Sequence, residues 1–111
     1  MRKMAQIANS QTEVKRVILY EADDGAYIFL FAMDADGPAD GDQWFESTSE
    51  AEDYCTEQFR IERGDWQVIC DPAPGCQHDW IAQVRVKRDI AGAPLWGQYE
   101  RSENGAWVDV V

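Results

Sequence analysis

The sequence predicts an α+β domain: a single antiparallel sheet of about five to six strands carrying one main helix on one face, in the order β-β-α-β-β-β-β. Three observations lead there. Short apolar runs recur with two-residue hairpin signals between them, at Asp24-Gly25 and at Asn104-Gly105. Only one stretch, about residues 48–62, combines helical periodicity with a capping signal. With a single long helix among so many strands, a parallel doubly wound sheet has too few crossovers to be built.

The chain suits one core. Its 111 residues are the size of one domain, and 45% are hydrophobic, with five Trp, four Tyr and four Phe. Residues 1–13 read as a poorly ordered tail and residues 14–111 as a single domain. Strand signals begin with VKRVILYEADDGAYIFLFAM, in which Asp24-Gly25 forms the turn. In the second half, Tyr27, Phe29, Phe31 and Met33 point one way and Ile28, Leu30 and Ala32 the other, which marks a strand with neighbours on both sides. Residues 34–46, DADGPADGDQWFE, read as a solvated loop. Tested against a calcium loop from Asp34, they place Pro38, Ala39 and Phe45 where ligands and the turn glycine belong.

The helix follows. Ser47 with Glu50, or Ser49 with Glu52, makes a capping box, Gly64 suits the end, and Ala51, Tyr54, Cys55 and Phe59 form the buried stripe. Residues 66–70 are a short strand. In WIAQVRVKR, residues 80–88, Trp80, Ala82, Val84 and Val86 alternate with Ile81, Gln83, Arg85 and Lys87, a half-buried strand with a basic outer face. LWGQYER, the Asn104-Gly105 turn and AWVDVV close the chain as a hairpin, with Gly97 marking a bulge.

Charge and composition narrow the function. The net charge of −11 divides into +3 over residues 1–20, −12 over residues 21–65 and −2 over the rest. Such a field repels phosphate backbones, so direct nucleic-acid binding is not expected, whereas a protein with a basic surface would be attracted. The N-terminal stretch has no apolar run of export-signal kind, no later run is long enough to span a membrane, and three Cys is an odd count for a disulfide framework. A cytoplasmic protein is expected. Neither GxGxxG nor GxxxxGK[ST] occurs, so no cofactor is expected.

Reactive side chains gather in CDPAPGCQHDW, residues 70–80. Cys70, Cys76 and His78 are the candidate metal ligands, though their C-x5-C-x-H spacing is unlike the two tight pairs of structural zinc. Cys76, His78 and Asp79 are the candidate catalytic residues, a thiol and an imidazole two apart on one face of an extended segment. The alternative is structural: Asp71-Pro72 and Pro74-Gly75 fix a rigid corner between two strands, with Trp80 as its core anchor. DPAPGCQHDWIAQVRVK, followed by PLWGQYE, resembles a stretch of a group of small uncharacterised Gram-negative bacterial proteins. The resemblance spans about residues 14–111, implies a bacterial cytoplasmic protein and carries over no catalytic residue.

Three function classes follow. The first is a non-enzymatic interaction or regulatory domain that binds a basic partner through an acidic loop–helix surface of Asp36, Asp40, Asp42, Trp44, Phe45, Glu50, Glu52, Asp53 and Glu57. The second is an acidic inhibitor or immunity-like protein that mimics nucleic acid. The third is a thiol or metal-dependent enzyme centred on Cys76 and His78. The oligomeric state is open.

Overall fold

In a computed structural model, which describes residues 1–8 and 12–110, the chain is α+β with one α-helix and two antiparallel sheets. The elements run β1 (Arg2–Gln6), β2 (Arg16–Ala22), β3 (Gly25–Phe31), β4 (Gly41–Phe45), α1 (Thr48–Phe59), β5 (Gln67–Ile69), β6 (Val84–Arg88), β7 (Pro94–Glu103) and β8 (Ala106–Asp109). The first sheet has the order β4-β3-β2-β1-β5 and the second β6-β7-β8. No helix among the described residues is long and apolar enough to cross a membrane.

Several expectations need correcting. The single sheet is two, because the backbone between β5 and β6 is bound by side chains instead of by a neighbouring strand, which ends one sheet and lets another begin. For the same reason the strand expected from Trp80 starts only at Val84. Within the expected tail of residues 1–13, Arg2–Gln6 is instead a strand: it lies between β2 and β5, paired from Arg2↔Tyr20 to Gln6↔Arg16 and from Arg2↔Ile69 to Met4↔Gln67. Residues 9–11 of that stretch lie outside the described residues, as does Val111 of the closing strand. Finally, the loop expected over residues 34–46 contains the edge strand β4, whose only strongly inward side chain is Phe45.

The main core lies between α1 and one face of the first sheet. Ser47 caps the helix by accepting the Glu50 N–H at 3.2 Å, and Ala51, Cys55 and Phe59 turn inward onto Ala5, Val17, Leu19, Ala26 and Ile28. The larger of these side chains, Val17, Leu19, Ile28 and Phe59, each contribute roughly 1.5–3 kcal/mol on full burial. The helix ends at Phe59, earlier than the expected 62, because Arg60 takes the left-handed conformation (φ 57°) and Ile61 drops back into the core; Gly64 is not the cap. By strand alternation, Arg2, Arg16, Ile18, Tyr20, Tyr27, Phe29 and Phe31 occupy the opposite face. Ile18 and Phe31 are buried there, and Arg16 lies over the Phe31 ring at 4.3 Å. β3 ends at Phe31, so Met33 is exposed and not part of the expected strand face.

Turns follow local chemistry. Ala22 pairs with Gly25, so the first turn is Asp23-Asp24, one residue earlier than expected. Gly25 is the first residue of β3 instead, where a Cβ would stand 2.4 Å from the Phe45 carbonyl oxygen. Asn104-Gly105 forms the expected second hairpin turn, both residues having positive φ. On the second sheet the basic face of β6 meets acids of its neighbours: Arg85 pairs with Glu100 at 2.7 Å and Lys87 with Asp109 at 2.9 Å, while Arg85 also lies over the Trp107 ring at 3.7 Å.

Candidate functional site

The corner over residues 70–83 joins the two sheets, and its backbone is held from two directions. Arg2, fully buried, reaches across from β1. Its Nε donates to the Cys70 carbonyl at 2.8 Å, Nη1 to the carbonyls of His78 at 3.1 Å and of Trp80, and Nη2 to that of Ile81 at 3.4 Å. Burial lowers the pKa of this guanidinium, with Asp71 and Asp36 opposing the shift, and it stays cationic. From the other side Asp36 accepts the N–H groups of Ile81 and Ala82 at 2.8 and 2.9 Å, and Asp79 returns the contact by accepting the Ala39 N–H at 2.8 Å. Loop and corner are therefore one mutually bonded unit.

This network separates the residues expected to react. Cys76 is buried; Cys70 and His78 are exposed; all three thiols, Cys55 included, are free. The His78 ring packs on Tyr20, with centroids 4.5 Å apart, and Asp79 is engaged with the loop. Among the described residues no group of three His, Cys, Asp or Glu side chains is placed to hold a metal ion. Burial, followed by the nearby Glu52, pushes the Cys55 thiol up to about 12, so it serves as core packing.

The expected acidic surface is likewise divided. Asp36 is bound to the corner and Asp40 accepts the Ala32 N–H at 2.7 Å. Phe45 turns into the helix core against Tyr54, at 5.0 Å between centroids, so it is no surface anchor. Glu52 pairs with Lys3 at 2.7 Å. Glu50, Asp53 and Glu57 remain exposed along α1, and no cation of the described residues pairs with them. Asp42 and Trp44 point to the other side of the sheet, across from Phe29 and Tyr27. Loop and helix do not form one continuous acidic surface, because the sheet stands between the helix and the corner.

On that other side lies a feature the sequence reading missed. Tyr20, Tyr27 and Trp44 stand in one row across β2, β3 and β4, and beside them a groove of about 320 Å³ is lined by Tyr20, Tyr27, Phe29, His78, Asp24 and Asp42. Tyr20 and Tyr27 stack at 6.4 Å, and Tyr27 and Phe29 at 6.1 Å with rings 5° apart. The phenol of Tyr27 donates to Asp24 at 3.4 Å, and its pKa is raised chiefly by the Asp24 charge, with Asp42 adding to it. The signal was the Tyr27, Phe29, Phe31 alternation, which marks a strand with neighbours on both sides; of the three only Phe31 is fully covered.

The Asp36 contact can be tested alone. Asp36→Ala is expected to lower stability by about 1 kcal/mol, because water partly replaces the carboxylate on two exposed N–H groups, while Asp42→Ala changes it by less than about 0.5 kcal/mol. Urea denaturation of both variants measures the difference. No family model, curated protein or solved structure matches this chain.

Proposed function

We propose that this chain is a non-enzymatic binding domain of the bacterial cytoplasm that docks a protein with a basic surface along the outer face of α1. The observation that carries the reading is the row Glu50, Asp53 and Glu57, exposed and without a paired cation among the described residues, in the segment that holds most of the chain's negative charge. Carboxylates spaced three and four residues apart lie on one helical face and present a strip of like charge. Such a strip steers a basic partner and sets register. Three free thiols, one of them exposed, suit a reducing compartment. The chemistry-bearing side chains of the corner favour a structural role, since Asp79 and the backbone on either side of it are bound to Arg2 and to the loop.

The test is a charge reversal read on an identified partner. A partner captured from the native host is expected to bind more weakly as salt rises, and the triple variant Glu50→Lys, Asp53→Lys, Glu57→Lys is expected to lose at least about tenfold in affinity, mostly through slower association. Unchanged binding by the triple variant, or binding indifferent to salt, overturns the reading.

A further inference from the structure

The groove on the opposite sheet face carries a separate inference. Its walls are aromatic: Tyr20 and Tyr27 stacked across β2 and β3, Phe29 two residues along the same strand face, and His78 against Tyr20 from the corner. Its edges are acidic, with Asp24 at the phenol end of Tyr27 and Asp42 on β4 across from Phe29. No Lys or Arg lines it among the described residues. Aromatic faces carry negative potential, and a carboxylate beside them adds to it, so this combination favours a cation that is itself partly apolar over a neutral or anionic group. The raised Tyr27 phenol reflects the same negative field.

The groove is open, and the row that forms it continues to half-exposed Trp44 on β4, whose outer edge is unpaired in the sheet. An exposed strand edge offers backbone hydrogen bonds to an extended polypeptide. From these observations we infer that the groove receives a basic side chain, the guanidinium of Arg or the ammonium of Lys, offered by a polypeptide lying near the β4 edge. Arg fits best, since its planar, weakly hydrated head can stack on the tyrosine faces while its N–H groups reach Asp24 and Asp42. The site does not depend on the helix surface, which lies beyond the sheet.

The experiment is an NMR titration of the full chain at pH 8 with acetyl-Gly-Arg-Gly-amide, its citrulline counterpart, and choline. The Arg peptide is expected to bind saturably, with its side-chain methylene protons shifted upfield by the rings and the aromatic signals of Tyr20 and Tyr27 moving together. The citrulline peptide, equal in shape and uncharged, is expected to bind at least roughly fivefold more weakly. Asp42→Asn, at an exposed position, and Tyr20→Leu are each expected to weaken the Arg peptide about three- to tenfold, and the helix charge reversal is expected to leave it unchanged. The inference is overturned if no saturable shift appears, if citrulline binds as well as Arg, or if Asp42→Asn has no effect. Choline binding where the peptide does not would assign the groove to a free small cation and overturn it as well.

Discussion

Arg2→Ala is expected to be the most damaging single substitution in this chain. The side chain is fully buried and holds the carbonyls of Cys70, His78, Trp80 and Ile81. Removing it leaves four acceptors without their donor and opens the volume of a long side chain between β1 and the corner. Breaking a buried charged contact of this kind costs about 3–5 kcal/mol, a large part of the 5–15 kcal/mol by which domains are usually stable. A fall in Tm of roughly 15 °C or more is the expected reading for a chain of this size. Arg2→Lys keeps the charge but gathers its three donors at one point, so it is expected to recover less than about half of the loss. If Arg2→Ala melts within a few degrees of the parent in calorimetry, the corner is held by its prolines and packing, and the guanidinium is incidental.

Gly25→Ala should rank second. An added Cβ would meet the Phe45 carbonyl oxygen at 2.4 Å and the Trp44 indole at 2.7 Å, at a backbone φ of +147°. Rotating an indole aside is easy, but a backbone carbonyl moves only with its strand, so β4 must shift and with it the pairing Ala26↔Phe45. Strain plus overpacking gives about 2–4 kcal/mol. Gly105→Ala is the control, because Gly105 also has positive φ (82°) but nothing lies within 4 Å of an added Cβ; backbone strain alone predicts about 1–2 kcal/mol there. Equal losses at the two glycines in urea denaturation would show that close approach of β4 does not matter.

Where local patterning decides structure, the sequence was readable. Helix α1 announced itself through Ser47 and the Ala51, Cys55, Phe59 stripe, β2 and β3 through two apolar runs with a turn between them, and the last hairpin through Asn104-Gly105. What escaped depends on distant partners. β1 is a strand because β2 and β5 flank it and because Arg2 finds carbonyls some seventy residues away, and nothing in RKMAQ states that. WIAQ has strand-like alternation but is held as a corner by Arg2 and Asp36, a tertiary override of propensity. The acidic residues were legible as a group, yet not their division into bonded (Asp36, Asp40), paired (Glu52) and free (Glu50, Asp53, Glu57), which only the folded contacts decide. The aromatic groove was hidden for the same reason: Tyr20 and His78 are fifty-eight residues apart and meet only when the corner closes.

Arg2 also fixes the order of events during synthesis. It is made 68 to 79 residues before the groups it binds, the carbonyls of residues 70, 78, 80 and 81. While the chain is being made, β1 can lie against β2, but its other edge stays open until β5 emerges, and the buried guanidinium has no partner until the corner does. Until then the nascent chain carries an unpaired strand edge and an unsatisfied cation beside Tyr20, and such edges invite pairing with other chains. Closing a loop of this length last predicts slow, late consolidation of the fold. It also gives truncation between about residues 60 and 81 a common outcome: a helix and a sheet that cannot lock.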